Sequence, residues 1–534
     1  MKIALAFSGG GYRASAFSLG TLSYLDRVNI ANDTNLLTSV IALSTVSGGT
    51  ITGARYAIGI KQGETFKEVY HSLYEFFLNV DLISLGLKRL SSAENWNKPR
   101  IRSIICAMAD IYDSQLFKSS KLGILLNEEK PIHLKHISFN ATEFTTGVQF
   151  RFQISGSNST ISGDSIKAII GNHNNRIPDP MGKDIRMGDI LASSSCFPGG
   201  FEPINFPTDF VLPDTEDFSK LKSEDKYPIG LMDGGIVDNQ GIESLLLAED
   251  RLEHSETSNK ERIIDLVILT DVSSPYMEAF NASVLQNENW WRKLTLHKIK
   301  RLNNLVFVAS LAGLICSFSF GSVVLSFIST IIFTVSSILL IAFGLINKKI
   351  KKVDLLNIDR LKILSSIKLV VFEGMLSNRI KSVLKLTGSV FLKCIRRLNY
   401  DNFYADESWK NRRIMNAIYE LNECEYKVTN PIKEDLKPSV KIQEVSKMAS
   451  SMATTLWFLK KDLDNNMLNS IIACGQFNIC WNLLEYIEKI KLDQTNTNEN
   501  HKALISCEEQ LRRDWEMFKQ DPFWLVNELN NSVD

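Results

Sequence analysis

Three glycine-rich turns carry residues that could do chemistry together: Ser8-Gly9-Gly10-Gly11-Tyr12-Arg13-Ala14, Val46-Ser47-Gly48-Gly49 and Asp233-Gly234-Gly235. The first follows a short apolar run, Ile3 to Phe7, and opens helical sequence. Glycines there let the backbone turn with several N–H groups outward, and the next helix adds its positive end. Such a turn can hold an anion, either a phosphate or an oxyanion that develops during a reaction. Gly9-x-Gly11-x-x-Ala14 also fits the dinucleotide fingerprint, so this motif alone leaves both readings open. Ser47 breaks the tie. It stands between a buried strand, Thr38 to Ser44, and helical sequence through Ala57. That is the layout of a nucleophile elbow, in which a tight turn lifts a hydroxyl clear of the backbone.

A serine hydroxyl is a weak nucleophile at neutral pH and needs a base within hydrogen-bond reach. The seven histidines are His71, His133, His136, His173, His254, His297 and His501, and none stands in a turn motif at a strand end. Asp233 does: it closes the short apolar run Ile229 to Met232 and precedes two glycines. Combined with the other two turns, it reads as the base. A nucleotide enzyme would instead need an acidic ribose ligand at a strand end about 20 residues past the glycine loop. Asp26 comes too early, inside the predicted helix, and Asp33 falls in a loop.

These turns must be held by regular elements. Strand, tight turn and helix occur twice early in the chain, which predicts an α/β sheet with parallel strands. Residues 60 to 125 read as mostly helical, Ile137 to Thr142 and Val148 to Ile154 as strands, and 155 to 185 as a polar loop. Ile263 to Thr270 is another buried strand. Residues 353 to 534 read as amphipathic helices, clearest at Val445 to Lys460 and Met467 to Ile490, with a polar linker at Gln494 to Asn500.

The 534 residues carry 60 basic and 60 acidic side chains, so no global charge favours nucleic acid. A length of that order predicts two or three units. The 8 cysteines are scattered, without metal-ligand spacing, and suggest free thiols in a reducing compartment. The start of the chain lacks the long apolar run of a signal peptide, which predicts a cytoplasmic catalytic part.

From Asn304 to Asn347 there is no charged residue. Leu305 to Ile346 spans 42 residues, and one membrane helix needs about 20. Two helices turning near Gly321-Ser322 fit that length, and a buried core hairpin is the rival reading. Arg292, Lys293, Lys298, Lys300 and Arg301 precede the segment, and Lys348, Lys349, Lys351 and Lys352 follow it. The positive-inside rule then puts both ends on the cytoplasmic side. Trp290 and Trp291 are candidate interface residues.

With these motifs in place, the chain resembles the patatin-like phospholipases, which share their core with the cytosolic phospholipase A2 family. Gly9-Gly10-Gly11-Tyr12-Arg13 is similar to that family's oxyanion loop, Ser47 with Gly49 to its elbow, and Asp233-Gly234-Gly235 to its base motif. Ala192-Ser193-Ser194-Ser195-Cys196-Phe197-Pro198 through Phe201-Glu202-Pro203 resembles the segment beside its site. The resemblance covers roughly residues 1 to 275, with a weaker echo near 445 to 485. Thr45 departs from the pattern, where the family has glycine, and a β-branched residue there crowds the turn.

The resemblance implies a three-layer α/β/α hydrolase core over 1–285. A transmembrane hairpin with basic flanks follows over 286–352 (about 304–346), then a helical region over 353–534 that could complete the core. It implies a lipid acyl hydrolase with Ser47 as nucleophile and Asp233 as general base. Gly9, Gly10, Gly11 and Gly48 would form the oxyanion hole, supported by Arg13, Gly49, Gly234 and Gly235. Arg13 would stabilise the loop or attract a lipid phosphate. The expected partners are a membrane phospholipid and the bilayer, with no metal, cofactor or nucleic acid. The alternatives are a membrane-bound nucleotide enzyme and a catalytically silent scaffold of the same fold.

Overall fold

Every residue of the first strand, β1 (Ile3–Phe7), is buried. Its side chains divide with period two, as a strand covered on both faces requires. Ile3, Leu5 and Phe7 enter one core, and Ala4 and Ala6 enter a second. The other strands of this sheet are β2 (Val40–Val46), β3 (His136–Glu143), β4 (Val148–Ser155), β5 (Lys167–Gly171), β6 (Arg176–Ile177), β7 (Ile204–Phe206), β8 (Ile229–Asp233), β9 (Leu266–Asp271) and β10 (Arg413–Ala417). The computed structural model describes the chain apart from residues 31–33, 93–95, 97–99, 157–166, 225–226, 257–262, 274–279, 283–288, 352–365, 423–433, 493–498 and 532–534. Asp33, Lys352 and most of the expected linker at 494–500 therefore lie outside the described residues, as do the expected boundaries at 285 and 352.

The sheet runs β10-β9-β1-β2-β3-β4-β5-β6. The first five strands are parallel, as the early strand–turn–helix alternation predicts. From β3 onward the neighbours are antiparallel, so the sheet is mixed. The reason is local: only residues 144–147 separate β3 from β4, and so short a link cannot make a parallel crossover. The stretch expected to be a polar loop holds β5 and β6. Their apolar runs are too short to stand out among polar neighbours.

Helices cover both faces. α1 (Gly11–Arg27) and α2 (Gly48–Gln62) lie on one side, and Phe17, Leu22, Ile51 and Ala54 enter the larger core. A short helix, α3 (Met187–Ser194), is buried on the same side, where Ile190 and Leu191 join that core. On the other side α4 (Ile242–Glu256) packs Ile242, Leu245 and Leu252 against Ala4, Ala6 and Val267. The result is a three-layer α/β/α arrangement.

The chain forms two compact units, Met1–Met277 with Thr387–Asp534, and Glu278–Leu386. The second unit holds α5 (Leu296–Phe320), α6 (Val323–Lys351) and α7 (Leu369–Lys385). α5 ends on Gly321 at φ 60°, which turns the chain into α6. Asn303, Ser310 and Ser317 lie buried at seven-residue spacing, as do Ser329 and Ser336. Asn303 Nδ2 donates to the Ser336 carbonyl at 3.1 Å, tying the two helices. Leu305, Val308, Phe318, Phe327 and Ile341 point outward, with small polar groups inside. That pattern inverts the soluble rule. Trp290 is exposed.

The C-terminal part of the first unit differs from the all-helical expectation. It contributes α8 (Phe391–Ala405), then the edge strand β10, whose five residues are too few to read from sequence. The helix expected at Val445 to Lys460 is α9 (Val440–Ser451) and stops early. Ser450, Ser451, Thr454 and Thr455 favour other conformations than helix. α10 (Met467–Leu492) is buried nearly all round rather than amphipathic. It crosses α1 where two glycines meet, and a Cβ on either Gly20 or Gly475 would overlap the other helix's backbone.

Candidate active site

One edge of β3 brings the expected residues together. Along that edge, Asn140 pairs with Val46 at the end of β2, and Ala141 pairs with Asp233 at the end of β8. β2 runs parallel to β3 and β8 antiparallel, so the two strands meet end to end. Ser47 and Asp233 therefore face each other across one residue step.

Ser47 has φ 50° and ψ −119°, a positive φ that only a tight turn imposes on a non-glycine residue. Such strain costs on the order of 1–3 kcal/mol and persists only where the surroundings enforce it. Here they do. The Ser47 N–H donates to Ser194 Oγ at 2.9 Å, at the end of α3. Ser194 Oγ in turn donates to the Asn140 carbonyl at 2.7 Å and lies 2.8 Å from Thr50 Oγ1. The Ser47 side chain lies close enough to the Asp233 carboxylate to oppose the rise of its pKa.

Ser47 and Asp233 are 7% and 4% exposed. Burial pushes the Asp233 carboxyl up to about 6, against the Ser47 side chain and the hydrogen bond from the Gly235 N–H at 2.7 Å. Both residues open onto a cleft of about 300 Å³. Among the described residues no histidine lines it, and Asp233 is its one carboxylate.

The glycine loop borders the same cleft. Gly10 and Gly11 have φ 143° and 61°, conformations that favour glycine. A Cβ on Gly48 would overlap the Gly11 carbonyl, so the elbow and the loop touch backbone to backbone. The N–H groups of Gly10, Gly11 and Gly48 take no partner among the described residues. Gly9 is a correction: its N–H donates to the Asn239 carbonyl at 2.9 Å, so it cannot serve an oxyanion. Gly49 packs on the Phe7 carbonyl, and Gly234 on that of Asn140.

Arg13 lines the cleft, but its Nη1 donates to the carbonyls of Ser450, at 3.2 Å, and Met452. It therefore anchors the segment after α9, whose Thr455 carbonyl accepts the Tyr12 N–H at 2.7 Å. Of the two roles expected for Arg13, these contacts serve the stabilising one. Thr45 is fully buried, and its methyl occupies the place a side chain on Gly53 would take. Its hydroxyl lies 3.0 Å from Thr50 Oγ1, so the residue expected to crowd the turn joins the network that holds it.

Sequence reasoning passed over Asn140, Asn239 and the wall from α8, namely Lys393 and Arg396. Ser194 was visible only as one serine of three. Among the described residues no group of three or more His, Cys, Asp or Glu could hold a metal. The seven described cysteines are free, and Cys424 lies outside the described residues.

A strained serine between strand and helix, facing a buried carboxylate on an α/β sheet, is the constellation of a hydrolase. Residues 5–246 match the family model of the patatin-like phospholipases. This part of the chain is thus similar to the patatin-like phospholipases, a family of lipid acyl hydrolases. Comparison with curated proteins finds no match.

Ser194→Ala should leave the Ser47 N–H buried without its acceptor. The expected cost is about 1–3 kcal/mol of stability, read from urea denaturation of the full chain in detergent. An unchanged midpoint would show that this hydroxyl does not hold the elbow.

Proposed function

We propose that the chain is a membrane-attached hydrolase of phospholipid acyl esters that works through Ser47 and Asp233. The observation that carries this reading is the placement of Ser47 and the buried Asp233 carboxylate in one cleft, beside three backbone N–H groups that take no partner among the described residues. Ser47 Oγ attacks the acyl carbonyl as Asp233 takes its proton. The carbonyl π electrons move onto oxygen, and the N–H groups of Gly10, Gly11 and Gly48 hydrogen-bond to that oxyanion. One such donor is typically worth about 2.7–4 kcal/mol in the transition state. Collapse expels the glycerol oxygen, which takes the proton from Asp233 and leaves an acyl-serine. Water, deprotonated by Asp233, then releases the fatty acid and restores the serine.

Asp233 suits this role because burial raises its pKa toward the working pH. The hairpin of α5 and α6 supplies the attachment: its spans are 25 and 23 residues long, and an 18-residue stretch in each has a mean hydropathy of 1.7 and 2.4. Tethering to a bilayer raises the local concentration of lipid esters without adding a contact. The basic residues on both flanks favour a cytoplasmic catalytic unit.

The test compares wild type with Ser47→Ala and Asp233→Asn, measuring fatty-acid release from mixed phospholipids in matched micelles. Both variants should lose about a thousandfold or more. Equal release from wild type and Ser47→Ala would sink the mechanism. Below its raised pKa the Asp233 carboxyl is protonated and cannot accept the serine proton. The rate of wild type should therefore climb tenfold per pH unit below an apparent pKa near 6 and level off above it. A pH-independent rate between 4 and 8, a range we choose to bracket the shifted group, would exclude Asp233 as the base. For the attachment, the full chain should stay with membranes through an alkaline carbonate wash, and a chain lacking residues 296–345 should not. Release of the full chain by the wash would rule out a spanning hairpin.

A further inference from the structure

Acyl transfer to serine and acyl transfer to water make different demands on this cleft. Ser47 is fixed by its own backbone, but a hydrolytic water must be held by hydrogen bonds. Asp233 can engage one of its two hydrogens. A lone pair points at the acyl carbon only if the second hydrogen is engaged as well. The site therefore needs a further acceptor beside the Asp233 carboxylate, and an uncharged one leaves the basicity of Asp233 in place.

Asn239 meets both conditions. It lines the cleft together with Ser47 and Asp233. A Cβ on Gly235 would lie 2.5 Å from Asn239 Oδ1 and 2.9 Å from Asp233 Oδ1. Two oxygens that flank one point at such distances are close enough for a single water to bridge. A Cβ on Gly9 would overlap the same amide oxygen, and would lie 3.2 Å from Ser47 Cβ. The amide oxygen thus stands where the glycine loop, the elbow and the Asp233 turn meet. Its orientation is set from behind. The Asn239 carbonyl accepts the Gly9 N–H at 2.9 Å. The buried Asp238 carboxylate accepts the N–H groups of Gln240 at 3.1 Å, Gly241 at 2.9 Å and Glu243 at 2.9 Å, which locks the turn that follows. Asn239 Nδ2 donates to Ser273 Oγ at 3.3 Å, which leaves Oδ1 on the side of the carboxylate. That oxygen accepts no hydrogen bond among the described residues.

We propose that Asn239 positions the water that hydrolyses the acyl-enzyme, an inference that rests on the hydrolase reading. The water donates one hydrogen to the Asp233 carboxylate and the other to Asn239 Oδ1. Its oxygen attacks the acyl carbon, Asp233 takes the first proton, and the carbonyl π electrons move onto oxygen. On collapse the bond between the acyl carbon and Ser47 Oγ breaks, Oγ takes the proton back from Asp233, and the fatty acid leaves. Asn239 neither gains nor loses a proton. Acylation uses no water, so it proceeds without the amide.

The test follows p-nitrophenyl butyrate with the full chain in neutral detergent. Asn239→Ala should release one nitrophenolate per chain in a rapid first phase, which counts intact sites. At steady state its kcat should fall at least about tenfold and its KM in proportion, leaving kcat/KM within about twofold of wild type. Intact mass spectrometry during turnover should find the butyrylated chain as the main species. Hydroxylamine, a nucleophile strong enough to attack without being aimed, should bring turnover back toward the wild-type rate. Ser273→Ala unties the amide nitrogen and should show the same split, with a kcat loss of about threefold. A kcat/KM that falls as far as kcat, or no rescue by hydroxylamine, would make Asn239 a support of the whole site and overturn the assignment. Should Asn239→Ala show no first phase, Ser273→Ala decides: a lower kcat at constant kcat/KM upholds the assignment, and an unchanged kcat overturns it. Failure of the hydrolase reading would show separately, as wild type no faster than Ser47→Ala in either phase.

Discussion

The edge of β3 accepts two strands in succession, and the site depends on that arrangement. Where β2 stops at Val46, β8 arrives from the opposite direction and stops at Asp233. Such a junction leaves backbone groups of both ends without ladder partners, and buried orphans are costly. Side chains fill the gap. Asn140 stands at the junction, fully buried, and its amide donates to the Thr45 carbonyl at 3.0 Å and to Ser44 Oγ at 2.9 Å. Thr142 Oγ1 donates to the Asp233 carbonyl at 2.9 Å, and the Asp233 N–H donates to the Cys196 carbonyl at 3.0 Å. The same contacts that satisfy the junction hold the serine opposite the carboxylate.

Close approach is the second constraint. The elbow, the glycine loop and the Asp233 turn each pass a neighbouring backbone at a distance that excludes a side chain. This explains why the three turns are rich in glycine although only some of their N–H groups face the cleft. It also explains how Thr45 is tolerated. A branched residue in the first elbow position needs space on the next helix, and Gly53 provides it. The departure and its compensation are eight residues apart, the second about one and a half turns into α2, so neither reads as linked to the other in sequence.

The local features were legible because each has a short-range cause. Glycine pairs after apolar runs marked the turns around Ser47 and Asp233, and the uncharged stretch marked the apolar hairpin. Helix and strand types along β1 to β4 followed from period and β-branching. What could not be read depends on partners distant in the chain. Gly9 looked like Gly10 and Gly11, and only the Asn239 carbonyl sets it apart. Asn140 sat inside a predicted strand like any other polar residue. β10 joins the sheet from beyond the second unit, through a register with β9 that no local pattern announces.

The proposed base, Asp233, ties these points together. An aspartate is normally a poor general base near neutrality, because its pKa lies near 3.9. In this cleft burial lifts it to about 6, and only the Ser47 side chain and the hydrogen bond from Gly235 oppose the rise. A cation held close to Asp233 would lower the value again and weaken the base. The cationic residues of α8 add nothing to that balance, although they line the same cleft. Arg396 instead faces Asp271, a carboxylate of the β9 strand end, and Arg13 turns to the carbonyls after α9. In the proposed role the aspartate depends on its burial, which is what raises its pKa.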